Sequence, residues 1–278
     1  MTDPAAGRML RTLRGPFCVL GLVILLALIG PLLTPWSYDT VDFDGRWSAP
    51  PGLAGAHWFG TDDLGRDLYA RCCYGGRLSL LVGLAGTGVS LVIGVLWGAI
   101  AGYFGGRTDA LMMRIVDILH ALPFLLVAIL LTVLLGRHFV LVFLAIGLVN
   151  WLGMARVVRG QALALKRREF IDAAIVCGAG PWAIIVRHLL PNLAGIVIVY
   201  ATLTVPQVIL VESFLSFLGL GIAEPQTSWG SLINDGAQAM ESTPWALLFP
   251  ALLLTATLLS LNCLGDALRD HLQADPGT

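Results

Sequence analysis

The chain has 278 residues, 57% of them hydrophobic and 13% charged, with a mean hydropathy of +0.82. Soluble domains carry about 25% charged residues, so this composition excludes an ordinary soluble globular protein and indicates a polytopic membrane protein. The net charge of −1 carries no information about nucleic acid, because the two signs of charge are segregated into different loops.

The first apolar run, 17–34, follows Arg8, Arg11 and Arg14 and has the charge layout of a signal peptide. Pro31, Pro35 and Trp36 stand where a small-residue cleavage site would be needed, so an uncleaved first transmembrane helix is expected. Residues 35–77 then form a polar segment rich in Pro, Gly, Trp and Asp, including Pro50, Pro51, Trp47 and Trp58. Turns and a short interfacial helix near Gly65–Tyr74 are expected there, with Thr61 or Asp62 as its cap and an Arg–Asp pair beside it. Five further apolar segments follow at roughly 78–101, 112–135, 139–155, 194–220 and 245–264. The predicted fold is therefore all-α, with six transmembrane helices. Gly83, Gly94 and Gly98 recur at helical spacing in the second segment, as expected where membrane helices pack closely.

Orientation follows from Lys and Arg. With the N-terminus in the cytoplasm, the inner ends and loops hold twelve of the seventeen: Arg8, Arg11, Arg14, Arg107, Arg114, Arg156, Arg159, Lys166, Arg167, Arg168, Arg187 and Arg269. Arg46, Arg66, Arg71, Arg77 and Arg137 fall outside, where Asp39, Asp42, Asp44, Asp62, Asp63 and Asp67 also gather. Both termini are expected to be cytoplasmic. Cys18, Cys72, Cys73, Cys177 and Cys263 are scattered and have no metal-ligand spacing. Adjacent Cys72 and Cys73 are read as free thiols, since a bridge between neighbours is strained.

The stretch 156–193 is a long, basic segment between two apolar ones, longer than a turn requires. Residues 169–178 have the make-up of a short helix, with small Ala173 and Ala174, and with Glu169 and Asp172 in its N-terminal half where the helix dipole favours acids. Gly178 ends it, and Pro181 starts the next helix at a position where its missing N–H costs nothing. Small side chains let a second surface approach the backbone. The expected shape is a short helix presented to a cytoplasmic partner.

Asp172-Ala173-Ala174, Gly178 and Leu190-Pro191 resemble the E-A-A-x3-G-x9-I-x-L-P loop of ABC-importer permeases, with Asp172 in place of Glu and His188 in place of Ile. The resemblance runs the length of the chain. Phe59–Asp67 is similar to F-G-T-D-x-x-G-R-D, Gly102–Asp109 to G-Y-x-G-G-x-x-D, Met113–Asp117 to M-R-x-x-[DE], and Trp151–Gln161 to W-x-x-x-A-R-x-V-R-G-Q. Glu212–Gly221 is similar to E-x-x-L-S-F-L-G-L-G, and Gly265–Asp270 to G-D-x-L-R-D. Residues 239–245 resemble the oligopeptide branch in particular.

The resemblance implies a type I ABC-importer permease fold in a bacterial inner membrane. Residues 1–76 would hold the N-terminal tail, first helix and periplasmic segment. Residues 77–265 would form the ABC transmembrane type-1 domain, and 266–278 a cytoplasmic tail. It implies that Glu169, Asp172, Ala173, Ala174, Gly178, Pro181 and Pro191 couple the chain to an ATPase. The implied partners are a second homologous permease subunit, two cytoplasmic ATPase subunits that bind ATP and Mg, and an extracytoplasmic peptide-binding protein. The chain itself is expected to hold no cofactor or metal and to be no enzyme, and it has no phosphate-binding loop. Nickel or another small solute is the alternative cargo; a proton-coupled secondary transporter is the rival from another class.

Ionisable and hydroxyl residues within the apolar segments are the remaining candidates. Glu212, Ser213 and Ser216 either line a wet pathway or bond a neighbouring helix. Asp117 and His120 are expected to cap or to pair with Arg114 and the cytoplasmic loop.

Overall fold

A computed structural model describes residues 4–43, 48–52, 57–135, 139–222 and 224–273. Asp44, Arg46, Trp47 and Arg137, used above for orientation and the outer segment, lie outside them. The described residues form ten α-helices in chain order. They are α1 (Pro4–Leu33), α2 (Leu68–Phe104), α3 (Gly106–Ala121), α4 (Phe124–Leu135), α5 (Phe139–Leu165), α6 (Glu169–Val176), α7 (Pro181–Ile184), α8 (Leu190–Phe217), α9 (Trp229–Gln238) and α10 (Pro244–Gln273). A π-helical turn, Ile185–Leu189, joins α7 to α8.

Five stretches are long and apolar enough to cross a membrane: Leu13–Leu33, Leu68–Phe104, Phe143–Leu165, Pro181–Phe217 and Pro244–Asp270. The expected third span, 112–135, is instead broken at Leu122-Pro123 into α3 and α4. Proline disfavours a helical residue before it and cannot donate to the turn behind it, and Leu122 is accordingly extended (φ −73°, ψ 140°). The expected interfacial helix near 65–74 is also corrected. Residues from Leu68 onward belong to the 37-residue α2, and its N-cap is Asp67, whose carboxylate accepts from the Ala70 N–H at 2.7 Å. Thr61 and Asp62 do not cap it. The boundaries drawn at 76/77 and 265/266 fall inside α2 and α10.

The pairing of α2 with α5 is the most extensive in the fold. Gly94, Gly98 and Gly102, four residues apart, make one face of α2. A Cβ on Gly94 would come within 2.8 Å of the Trp151 carbonyl oxygen, on Gly98 within 2.5 Å of that of Ala155, and on Gly102 within 2.9 Å of that of Arg159. The two backbones therefore touch, which is how helices gain packing energy where lipid is as apolar as leucine. Ser90 on the same face donates to the Gly147 carbonyl at 3.0 Å.

Helix α1 lies against α2 and α10. Pro31 within it cannot donate to the Ala27 carbonyl. Arg77 of α2 takes the place of that missing donor, its Nε reaching the Ala27 oxygen at 2.5 Å and Nη2 the Leu28 oxygen at 2.6 Å. Two arginine–aspartate pairs fasten α3 to α5. Arg159 grips Asp109 with Nε (2.9 Å) and Nη2 (2.5 Å), and Arg156 meets Asp117 at 2.9 Å. Asp117 thus pairs with Arg156, the first residue of the expected cytoplasmic loop, and not with Arg114.

Candidate functional site

The basic stretch 156–193 is more helical than its composition indicates. Helix α5 continues through Arg156 and Arg159 to Leu165, and the α7–α8 rod begins at Pro181. What remains between the rods is a turn at Lys166–Arg168, the eight-residue α6, and a second turn at Cys177–Gly180. Gly178 has φ +82°, a conformation that favours glycine, and Pro181 is at the first position of α7. Both expectations from the sequence are met here.

One face of α6 anchors it. Ile171 is fully buried with Ile184, Ile185, Leu189 and Leu193 from the following rod, and with Ala99, Met154, Val158 and Ala162 from α2 and α5. Ala174 packs against the same cluster. The opposite side is open: Glu169, Phe170, Asp172, Ala173, Ile175, Val176 and Gly178 are exposed, with Val176 87% exposed. Trp182 and Val186 extend this open apolar surface onto the next rod. The two alanines therefore differ: Ala173 is available to a second surface, and Ala174 holds the helix to its own bundle. The π turn follows directly. Pro191 lacks the N–H that an α-helical turn would draw from residue 191 to Arg187, and the extra residue accommodates that gap at the joint between α6–α7 and α8. Pro191 thus acts on the shape of this joint.

Glu212, Ser213 and Ser216 are all buried, and Glu212 has no exposed surface. Of the two expectations, lining a wet pathway or bonding a neighbouring helix, their contacts are those of the second. The Glu212 carboxylate accepts from the Ser216 hydroxyl at 2.7 Å and from the Ser79 hydroxyl of α2 at 3.3 Å. Ser228 donates to Ser216 at 3.2 Å, and the Trp229 N–H donates to Ser79 at 3.2 Å. The Trp229 indole N–H donates to the Cys72 carbonyl at 3.0 Å. A Cβ on Gly230 would strike the Ser213 backbone. The residues of the Glu212–Gly221 and Trp229-Gly230 motifs are thus one buried network joining α2, α8 and α9. A fully buried carboxylate is tolerated because hydroxyls surround it.

The outer segment holds a second polar cluster. Asp62 receives the Arg66 Nε at 2.7 Å and lies 3.5 Å from Arg71; Arg66 also reaches Glu224 at 3.1 Å. Burial works against the charge on Arg66, but the adjacent Asp62 and Glu224 hold its guanidinium above the usual range. His57 lies between Asp67 (2.8 Å) and Asp42 (3.3 Å) and stacks on Trp36. Burial pushes the Asp67 carboxyl up, although the Ala70 N–H and His57 favour its ionised form. These contacts pin Asp42, His57, Asp62 and Arg66 onto the start of α2, so the Arg–Asp pair read from the sequence is structural. Among the described residues no group of His, Cys, Asp and Glu is arranged to hold a metal.

An open cavity of about 270 Å³ lies where α3 breaks, between α5 and α8. Its wall includes His120, Asn150, Gly153, Tyr200, Thr204 and Gln207. Of these only His120 was expected from the sequence to have a role, capping or pairing with Arg114 and the cytoplasmic loop. The missed signal was a carboxamide in the middle of an apolar run, at Asn150 and again at Gln207.

Residues 94–276 match the family of binding-protein-dependent transport system inner membrane components. The chain is 52% identical over 254 residues to the oligopeptide transport system permease protein OppC of Haemophilus influenzae, covering 91% of this chain and 81% of that one. It is 51% identical to OppC of Escherichia coli K12, covering 91% and 84%. It is 46% identical over 268 residues to the dipeptide transport system permease protein DppC of Bacillus subtilis, covering 94% and 83%.

Proposed function

The chain belongs to the family of binding-protein-dependent transport system inner membrane components, and from that premise we propose that it is the permease subunit of an ATP-driven oligopeptide importer. It forms half of the translocation pathway and turns closure of its ATPase partners into alternating access. The cargo assignment draws support from the 52% and 51% identity to two oligopeptide permeases. Nickel, the alternative cargo, would call for clustered His or carboxylate ligands.

The observation that carries the coupling role is the two-sided α6. Ile171 roots it in the bundle, while Asp172, Ala173, Ile175 and Val176 face outward. A helix exposing that much apolar surface needs a partner to cover it. In this reading the partner is a cytoplasmic ATPase, and Glu169, Asp172 and Ala173 meet it. Gly178 and Pro181 shape the turn behind them, and Ala174 and Pro191 set how the helix is carried. ATP and Mg belong to that partner, and hydrolysis is its work. A second permease chain completes the pathway, a peptide-binding protein delivers cargo from outside, and both termini lie in the cytoplasm.

The test is reconstitution of both permease chains with their ATPases and binding protein in proteoliposomes. ATP-dependent accumulation of short peptides is expected. Accumulation of nickel without peptide would overturn the cargo assignment, and transport driven by a proton gradient without ATP would overturn the importer class.

A further inference from the structure

The cavity beside the break in α3 contains groups that do not belong against lipid. Gln207 is exposed near the middle of α8, and its carboxamide makes no hydrogen bond among the described residues. A carboxamide has two donors and an acceptor with two lone pairs, and leaving these unpaired in hydrocarbon costs several kcal/mol. Asn150, near the middle of α5, spends one N–H on the Ile146 carbonyl at 3.0 Å and keeps the rest of its amide free toward the same space. The Tyr200 hydroxyl sits against Gly153, where a Cβ would collide with it. Thr204, which donates back to the Tyr200 carbonyl at 2.7 Å, completes the row on α8. A third wall is the end of α3 and Leu122, in the irregular backbone before Pro123. Non-helical backbone at membrane depth persists where it is buried in protein or lines a wet cavity, and this stretch is exposed. Side chains and backbone break thus independently mark the same space as water-filled.

We propose that Gln207 and Asn150, with Tyr200 and Thr204 beside them, form a binding site for the main chain of the translocated peptide. The assignment rests on the peptide-importer reading and adds the contact residues. Carboxamides offer a donor and an acceptor side by side, the pattern that a peptide unit itself presents. Among the described residues no Asp, Glu, Lys or Arg lines the cavity, and His120 stands at its edge beside the α3 break. The site therefore engages the part of the cargo that every peptide shares and is indifferent to side-chain charge. Neutral, exposed amides also bind weakly enough to let go, as a passage requires. The buried Glu212 network, by contrast, contributes rigidity and no contact with cargo.

The experiment uses the full complex in proteoliposomes with three probe peptides: Ala-Ala-Ala, Ala-Glu-Ala and Ala-Lys-Ala. Gln207→Leu and Asn150→Leu are each expected to lower maximal uptake about tenfold, by the same factor for all three peptides. ATP hydrolysis stimulated by the binding protein should remain. Because Gln207 is exposed, its replacement removes no packing. As a second readout, Gln207→Cys is placed in a background without Cys18, Cys177 and Cys263, the exposed native thiols. It should react with a charged, water-soluble thiol reagent, whereas Ile198→Cys, on the opposite side of α8, should react far more slowly. Unchanged uptake in both leucine variants, a factor that depends on peptide charge, or an unreactive Gln207→Cys would each overturn this assignment alone. Failure of the unmodified complex to import any of the three would remove the peptide-importer reading and this site with it.

Discussion

Replacing Arg77 by Ala tests how α1 is held. The guanidinium donates to Ala27 and Leu28, and the first of those carbonyls has no helical partner because residue 31 is proline. A hydrogen bond to a charged group contributes about 1.5–3 kcal/mol in soluble proteins, and interhelical bonds in membranes about 0.6–1.7 kcal/mol. Arg77 is half-buried and its bond to Leu28 is exposed, so water replaces part of what is lost. The net cost to α1 docking is then about 1–2 kcal/mol. Helix α1 covers Cys73, which is 4% exposed and sits where a Cβ on Gly30 would touch it. Cys73 therefore reports each transient departure of α1.

In a background lacking the three exposed cysteines, a small permeant thiol reagent should modify Cys73 about 5–30 times faster in Arg77→Ala than in the parent. The discriminating measurement is a double-mutant cycle with Pro31→Ala. Alanine restores an N–H for the Ala27 carbonyl, so Arg77→Ala in that background should accelerate modification several-fold less. Equal acceleration in both backgrounds would show that Arg77 acts by packing or charge, and would refute the argument that it replaces a missing donor.

Three further outcomes are expected. A cysteine at Ser48 should react with an impermeant thiol reagent from outside and one at Ala164 should not; the reverse pattern would invert the proposed topology. Ala173→Arg should leave insertion and assembly intact, because Ala173 is exposed, yet abolish uptake; Gly178→Asp should do the same by forcing a side chain onto φ +82°, and normal substrate-stimulated transport in either variant would remove the coupling assignment. Glu212→Gln should reduce transport less severely than Gly178→Asp, since the amide oxygen can still accept from one of the two hydroxyls, Ser216 or Ser79, while its NH2 donates to the other. Glu212→Leu would strand those buried hydroxyls at about 1–3 kcal/mol each and should lower the yield of folded protein; equal yields for Gln and Leu would contradict the network.

Features set by local chemistry were legible in the sequence. The apolar segments, the Gly178 turn, the start at Pro181 and the Arg66–Asp62 pair each depend on residues within a few positions of one another. What escaped was non-local. Nothing near Arg77 announces that its acceptors lie on α1, and Glu212 looks the same whether it faces a pathway or Ser79. The C-terminal end of α5 was misjudged because Arg156 and Arg159 look like loop residues, whereas Asp117 and Asp109 on α3 neutralise them and let the helix continue. The break at Leu122-Pro123 did carry a local signal. A proline disfavours a helical residue before it, and the segment expected at 112–135 runs straight through Pro123.

The π turn at 185–189 has a consequence for how this chain can change over evolutionary time. A π turn holds one residue more than an α turn, and each residue of an α-helix advances about 100° around the axis. Because Pro191 keeps this turn from closing as α, deleting a single position between Pro181 and Pro191 would swing Trp182 and the attached α6 about 100° around the α8 axis. Val186 and Arg187 are at least partly solvent-facing and free to vary in kind. The number of residues in that interval is not free, so its length should be preserved among working sequences more strictly than its letters.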